Sequence, residues 1–163
     1  MGRNSASFVI AMLAGFACGA VVVPLSHQLK PAEIAQIVDN TGVQAILDDT
    51  FGVNPWMGQA MMLELLQQPL RLTFTEIPAH AQLAQLADAA FIRYTSGTTG
   101  ASKGVVLTHA SILARVDNAC RALRLTSADA VLWVLPMAFS LPRQYPGLFA
   151  FGYAHYHQQR LIC

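Results

Sequence analysis

The stretch YTSGTTGASKGVVLTH, residues 94–109, decides how the fold of this chain is interpreted. Glycines and small hydroxylated residues surround one lysine, Lys103, and the apolar residues Val105–Leu107 follow directly. Glycine lets backbone N–H groups approach an anion closely, hydroxyl groups add donors, and a lysine ammonium adds a point charge. The stretch therefore predicts a phosphate-binding loop that leads into a short strand.

This loop differs from two common glycine-rich phosphate motifs. A Walker A loop has serine or threonine directly after its lysine, whereas Gly104 follows Lys103 here. The G-x-G-x-x-G pattern fails because two threonines separate Gly97 from Gly100. A solvated turn between two strands, without a ligand, is the general alternative for a loop of this composition.

The complete string resembles the phosphate-binding signature of the adenylate-forming (AMP-binding) enzymes, which include acyl-CoA synthetases, fatty acyl-AMP ligases, luciferases and peptide-synthetase adenylation domains. The family pattern is aromatic-T-S-G-[ST]-T-G-x-P-K-G-V, followed by a short strand and [ST]-H. The chain departs from it at Ser102, where the family usually has proline. The matching residues are Tyr94, Thr95, Ser96, Gly97, Thr98, Thr99, Gly100, Lys103, Gly104, Val105, Thr108 and His109.

The resemblance implies that the loop closes over the phosphates of ATP, with Mg²⁺, while a carboxylic acid is adenylated and then transferred to the thiol of CoA or of a carrier protein. Thr95 and Lys103 are the implied catalytic residues, and Tyr94 and Gly104 frame the loop. No metal ligand is assigned, because the acidic magnesium-binding segment of the family is not found in this sequence. The implied phosphate-binding residues are Thr95, Ser96, Gly97, Thr98, Thr99, Gly100 and Lys103.

The rest of the chain predicts an α/β fold, a partial doubly wound sheet from the N-terminal domain of that family. Pro31 suits a first helical position, and the Thr41-Gly42 step ends the helix. The apolar runs Val21–Pro24 and Val43–Leu47 predict strands covered on both faces, which together with the helix form a β-α-β unit.

Around the loop, Ala89–Tyr94 predicts the preceding strand, and Thr108 can cap a helix from about His109 to Leu123. Residues Ile112, Val116 and Cys120 are the predicted inward positions of that helix. His109 has two interpretations, a residue that orders the loop and a histidine packed locally in the first turn.

Three further segments give expectations. The pair Asp48-Asp49 is interpreted as a solvated strand end rather than an acid/base or metal site. Leu70–Phe74 and Asp129–Leu135 are candidate strands. Apolar residues at helical spacing predict a buried helix face formed by Trp56, Met57, Met61, Met62, Leu65 and Leu66.

Composition limits the classes of partner and location. Hydrophobic residues make up 54% of the chain and the net charge is +1, so no nucleic-acid partner is expected. The three cysteines, Cys18, Cys120 and Cys163, are interpreted as reduced thiols of a cytoplasmic protein. Residues Phe8–Leu25 carry no charge and could span a bilayer, but a helix followed by a buried strand fits them better, and a small membrane protein remains the alternative.

The resemblance covers roughly Phe8–Phe139. Residues 1–139 are therefore predicted as a partial AMP-binding domain, whereas residues 140–163 do not match the family. A reading-frame shift near Ser140 or a truncation would explain this tail. His155 and His157 could form a metal pair, but no third ligand is evident. The sequence thus predicts a fragment of an ATP-dependent carboxylate ligase, of the acyl-CoA synthetase type and of fatty acid metabolism, that is inactive alone. A non-enzymatic remnant or a weak nucleotide-binding fragment is the alternative.

Overall fold

The computed structural model describes residues 1–49, 58–77, 86–95, 103–130 and 136–140. The described residues combine helices with two small sheets, which confirms the α/β class. The elements are α1 (Ala6–Ala17), α2 (Pro31–Thr41), β1 (Ala45–Asp48), β2 (Ala60–Leu65), β3 (Gln68–Phe74), β4 (Ala89–Thr95), β5 (Lys103–Thr108), α3 (His109–Leu123) and α4 (Met137–Ser140).

Helix α1 and the extended segment after it account for the uncharged N-terminal run. The Ser5 side chain accepts a hydrogen bond from the Phe8 N–H at 3.1 Å and so caps the helix. After the helix, the Val22 N–H donates to the Ala90 carbonyl at 2.8 Å, and the Val22 carbonyl accepts from the Ile92 N–H at 3.0 Å. Val22 thus forms a parallel bridge to β4. No helix in the described ranges is long and apolar enough to cross a membrane.

Helix α2 begins and ends where the sequence predicts. Pro31 is its first residue, and the Glu33 carboxylate accepts a hydrogen bond from the Lys30 N–H at 2.8 Å. Gly42 ends the helix in the left-handed region, with φ of 57°, which glycine adopts without steric cost. The face with Ile37 and Val38 is buried, each at 2% exposure.

The two strands predicted to flank α2 do not pair with each other directly. β1 pairs antiparallel with β3, whereas Val22 pairs with β4. The named sheets have the orders β1-β3-β2 and β4-β5, and all their ladders are antiparallel. The doubly wound arrangement is therefore not seen in the described part of the chain.

The predicted buried helix through Met61 and Leu66 is wrong for its described members. Met61, Met62 and Leu65 lie in strand β2, and Met61 and Met62 are 48% and 60% exposed. Leu66 and Gln67 adopt φ of 52° and 60° and turn the chain into β3, so an antiparallel hairpin replaces the helix. A short run of apolar residues fits both the helical repeat and the alternation of a strand, and the geometry of the turn decides between the two structures. Trp56 and Met57 lie outside the described residues.

Strand β3 confirms the predicted strand Leu70–Phe74 and corrects the interpretation of Asp48. Asp48 lies opposite Arg71 in the β1–β3 ladder, and its side chain is 1% exposed. The Arg71 guanidinium donates two hydrogen bonds to the carboxylate, at 3.0 and 3.3 Å. Asp48 is thus half of a largely buried ion pair and not part of a solvated strand end.

The main core lies between α1, β4 and β5. Its buried residues are Met12, Ala90, Phe91 and Leu107. Helix α3 has the predicted bounds and is capped by the Thr108 side chain, which accepts from the Ser111 N–H at 3.1 Å. The partly buried residues that pack against this core are Phe8, Phe16, Val22, Ile112 and Met137.

The remaining predictions near the C-terminus have mixed outcomes. Val116 is buried at 8% exposure, and Ile112 and Cys120 are half-buried, as expected for the inward face of α3. Asp129 lies in no strand and accepts hydrogen bonds from the Thr126 backbone N–H and side-chain hydroxyl, at 2.7 and 2.9 Å. Residues 131–135 and 141–163 lie outside the described residues, so the tail and the domain boundary at 139 stay predictions.

Candidate functional site

The β4–β5 hairpin holds the two ends of the signature loop together. Thr95, the last residue of β4, is the ladder partner of Lys103, the first residue of β5. Paired residues in an antiparallel ladder have Cα atoms about 4.5–5.5 Å apart. Residues 96–102 lie outside the described residues, so the structure brings together two of the predicted site residues. The predicted site residues that lie outside the described residues are Ser96, Gly97, Thr98, Thr99 and Gly100.

Lys103 lies at the mouth of this hairpin and is exposed. An exposed ammonium with three N–H donors can bind an anion at the point where the loop leaves the sheet. Because β4 and β5 are paired up to Thr95 and Lys103, the base of the loop has a fixed width. The geometry thus presents the Lys103 ammonium at the mouth of the hairpin.

Tyr94 lies across the backbone of its ladder partner, Gly104. A Cβ atom at Gly104 would lie 3.1 Å from Cζ of Tyr94 and 3.3 Å from Cγ2 of Ile92. Glycine at this position therefore leaves the space that the tyrosine ring uses. This contact gives a physical reason why the signature has an aromatic residue at position 94 and a glycine at position 104, which are paired across the hairpin.

The Tyr94 hydroxyl is tied to helix α2. Burial raises the pKa of Tyr94, and a hydrogen bond with the Asn40 side chain opposes this effect. The phenol consequently stays neutral near pH 7. Asn40 belongs to this site although sequence reasoning did not identify it, because nothing local to α2 shows that its last turn reaches β4.

The loop is anchored to the rest of the molecule mainly through β4. Ala90, Phe91 and Ile92 are 0%, 5% and 8% exposed, whereas Val105 and Val106 of β5 are 47% and 44% exposed. Strand β4 also carries the bridge to Val22, so it is covered on both sides along the sheet. The Lys103 side of the loop is thus the accessible one.

His109 packs against the core at the start of α3. Its ring makes an edge-on contact with Phe16, with ring centroids 5.5 Å apart and an angle of 75° between planes. Phe16 makes a similar contact with Phe91, at 4.7 Å. The structure thus supports the packed interpretation of His109, and a role in ordering the loop stays a prediction.

Metal-binding groups are not assembled in the described ranges. No group of three His, Cys, Asp or Glu side chains among those residues could hold a metal ion. Cys18 and Cys120 are free thiols, as predicted, and Cys163, His155 and His157 lie outside the described residues. The site therefore consists of the hairpin mouth, Lys103 and the Tyr94 anchor.

Comparison with known proteins agrees with this geometry. The family model described as "AMP-binding enzyme" matches residues 1–153. Surfactin synthase subunit 2 of Bacillus subtilis (strain 168) is 35% identical over 122 residues, which is 73% of this chain and 3% of that protein. Malonate--CoA ligase of Arabidopsis thaliana is 32% identical over 149 residues, which is 84% of this chain and 24% of that protein.

A third relative, the hybrid PKS-NRPS synthetase pvhA of Talaromyces variabilis, is 30% identical over 137 residues, covering 83% of this chain and 3% of that protein. The chain thus spans only 3% to 24% of the length of these relatives. No solved structure matches it significantly. Because the family model covers nearly the whole sequence, and because the hairpin presents the signature loop, the chain belongs to the AMP-binding, adenylate-forming enzyme family.

Proposed function

We propose that this chain contributes the phosphate-binding part of an ATP-dependent carboxylate ligase. In the proposed parent reaction a carboxylate and ATP give an acyl-adenylate and pyrophosphate, and the acyl group then passes to a thiol. The observation that carries this proposal is the pairing of Thr95 with Lys103 at the base of the signature loop. Family membership supports the same assignment.

The exposed side chain of Lys103 at the hairpin mouth supports a triphosphate at this position. ATP supplies the adenylyl group and the pyrophosphate leaving group when it is bound. The Lys103 ammonium would neutralise phosphate charge, and Thr95 with residues 96–100 would provide hydroxyl and backbone N–H donors. Tyr94 would hold the hairpin against α2, so that the donors keep their positions. A Mg²⁺ ion bound together with ATP would add positive charge beside the phosphates.

The acceptor and the acid belong to the same proposal. One relative named above is a malonate--CoA ligase. Its name supports a carboxylic acid as substrate and CoA as acceptor, whereas the thiol of a carrier protein as acceptor follows from the family resemblance. The specific acid, including a fatty acid, and a cytoplasmic location stay predictions from the sequence.

We expect no complete turnover by the chain alone. Adenylation requires that phosphate charge be neutralised by a metal and lysines together, in a site that also holds adenine and the acid. The chain spans at most 24% of the length of the relatives compared above. Acyl-adenylate formation above the level of a Lys103→Ala variant would contradict this expectation.

Calorimetric titration with Mg-ATP tests phosphate binding. A hydrogen bond to a charged group contributes about 1.5–3 kcal/mol, so Lys103→Ala should weaken ATP binding by roughly 10- to 100-fold. Lys30→Ala is the matched control, because it removes an equal charge from an exposed position at the start of α2. Equal affinity in both variants would contradict the proposed role of the hairpin mouth.

A non-enzymatic remnant is the second candidate. The exposed apolar side chains of the sheets favour it, since Met62 is 60% exposed and Val105 is 47% exposed. Such surfaces are usually covered in a complete domain. Binding of Mg-ATP without turnover would indicate a nucleotide-binding fragment. A chain that melts cooperatively and does not bind Mg-ATP would indicate a remnant.

A further inference from the structure

The last turn of helix α2 is held firmly in place. The Thr41 hydroxyl donates a hydrogen bond to the Ile37 carbonyl at 2.7 Å, and the Gly42 N–H donates to the Val38 carbonyl at 2.9 Å. The side chains of Ile37 and Val38 are buried in the core. Because a residue on a rigid element holds its partners more precisely than one on a loop, a side chain in this turn can fix the position of a group beside it.

Asn40 lies in this last turn and connects α2 to the signature. Its side chain is hydrogen-bonded to the Tyr94 hydroxyl, which belongs to the last turn-facing residue pair of the β4–β5 hairpin. Asn40 is exposed, whereas Tyr94 is half-buried. A change of the Asn40 side chain therefore removes the hydrogen bond and leaves the core packing of α2 intact.

The Tyr94 ring carries this contact to the hairpin mouth. The ring lies over its ladder partner, where a Cβ atom on Gly104 would be 3.1 Å from Cζ and 3.3 Å from Cε2 of Tyr94. Gly104 is bonded directly to Lys103, and Lys103 pairs with Thr95, the residue after Tyr94. A ring that is held at its hydroxyl therefore restricts movement of the backbone from which the Lys103 side chain starts.

We propose that Asn40 is a positioning residue for the phosphates of ATP, which acts through Tyr94 on Lys103. This inference rests on the proposed ATP-binding function of the signature loop. Lysine carries its charge on a flexible four-carbon stem, and ordering that stem on a ligand costs conformational entropy. A fixed backbone at residues 103 and 104 limits this cost. Asn40 thus strengthens phosphate binding without touching ATP.

Nuclear magnetic resonance of the full chain, with tyrosine labelled by ¹³C at Cζ, tests the contact in the absence of ATP. Tyr94→Phe identifies the Tyr94 signal by its loss. Asn40→Leu has a side chain of similar size that forms no hydrogen bond, so it should shift that signal. Gln36→Leu is the matched control, because Gln36 is an exposed amide one turn earlier on α2. An unchanged Tyr94 signal in Asn40→Leu would overturn the proposal.

Calorimetric titration with Mg-ATP tests the positioning role. The net contribution of one hydrogen bond corresponds to roughly a 2- to 10-fold change in an equilibrium constant, so Asn40→Leu should weaken ATP binding by about that factor. Gln36→Leu should bind ATP as tightly as the unmodified chain. Adding Asn40→Leu to Tyr94→Phe should cause no further loss, because Asn40 acts through the phenol. Independent, additive losses would overturn the proposal.

The same titrations separate this inference from the proposed function. If Lys103→Ala weakens ATP binding and Asn40→Leu does not, the positioning role of Asn40 is overturned and the proposed function stands. If the unmodified chain does not bind Mg-ATP, or if Lys103→Ala binds it equally well, the proposed function fails and the positioning role fails with it.

Discussion

At the scale of single residues, the pair Asp48–Arg71 shows how a charged side chain can stabilise an apolar sheet. The guanidinium forms a two-bond contact with the carboxylate, a geometry that arginine provides and lysine does not. Because the two residues are ladder partners, the contact also fixes the register of β1 against β3. A one-residue slip would bury both charges without partners.

Asp48→Asn should destabilise the protein by about 3 kcal/mol, because it leaves a largely buried guanidinium without its counter-charge. Chemical denaturation by urea, monitored by circular dichroism, would measure the change. Asp117→Asn is the control: Asp117 pairs with Arg121 on the surface of α3, with side chains 55% and 75% exposed. Loss of that pair should cost less than about 1 kcal/mol. Similar losses in the two variants would show that burial of the Asp48 pair is unimportant.

Gly104 is the second position where one residue determines local structure. Gly104→Val should lower the free energy of unfolding by about 1–3 kcal/mol, because the added side chain overlaps the Tyr94 ring. The same substitution in a Tyr94→Leu background should cost markedly less, as a double-mutant cycle would show. Equal costs in the two backgrounds would mean that Tyr94 does not depend on glycine at position 104.

At the scale of elements, the β2–β3 hairpin contains strain at its turn. Leu66 and Gln67 both have positive φ, at 52° and 60°. Two-residue hairpin turns with positive φ at both positions favour Asn-Gly, since other residues pay a steric cost there. The pairing of β2 with β3 along Ala60–Leu65 holds these residues in an unfavourable conformation. The sheet, and not local preference, therefore determines the turn.

Replacing both turn residues, Leu66→Asn with Gln67→Gly, should stabilise the protein by about 1 kcal/mol or more. The midpoint of urea denaturation should rise with an unchanged slope. Glu64→Gly is the control, because glycine in the adjacent strand gains nothing from a positive φ and should destabilise. A lower midpoint for the Asn-Gly variant would show that the positive φ values do not cost the folded state stability.

At the scale of the whole molecule, the buried N-terminus joins β1 to the extended segment after α1. Met1 bonds to β1 and Gly2 to the segment after α1. Burial lowers the pKa of the Met1 ammonium, and the carboxylates of Asp48 and Asp49 oppose this effect. The amine therefore holds its proton less tightly in the folded state than in the unfolded state, whose pKa is near 8.0.

This shift gives a stability that changes with pH. The contribution is fully present above pH 8 and is lost as the pH falls through the lowered folded-state pKa, because the unfolded chain then binds the proton more readily. Unfolding free energy should thus rise with pH below 8, by at most about 1.4 kcal/mol per pH unit from this group. Thermal or urea unfolding between pH 6 and pH 8.5 would measure it.

An acetylated Met1 provides the control for that prediction. Chemical ligation of residues 1–17 to residues 18–163 at Cys18 gives the full chain with a free or an acetylated N-terminus. The acetylated chain should lack this part of the pH dependence, while the other side chains are the same in both forms. Identical pH profiles in the two forms would show that the Met1 amine is not buried as a titrating group.

Much of the fold could be predicted where local chemistry and tertiary packing agree. Helix α2 follows from Pro31 and Gly42, and the start of helix α3 follows from the Thr108 cap, because caps and breakers act through neighbouring residues. The strand before the signature loop could be predicted for the same reason. Strand β2 could not be predicted, because its apolar residues fit both the helical repeat and the alternation of a strand, and because its turn has no Asn-Gly signal.

The sequence by itself determined the family-defining loop, its flanking strands and the helix that follows them. These features depend on residue type and spacing within short stretches, so they can be seen without the fold. Only the tertiary structure decided that Asp48 meets Arg71, that Tyr94 crosses Gly104 and reaches Asn40, and that Met1 and Gly2 lie between β1 and the segment after α1. Each of these contacts joins residues that are distant in sequence, and the position of one strand beside another sets the distances between them.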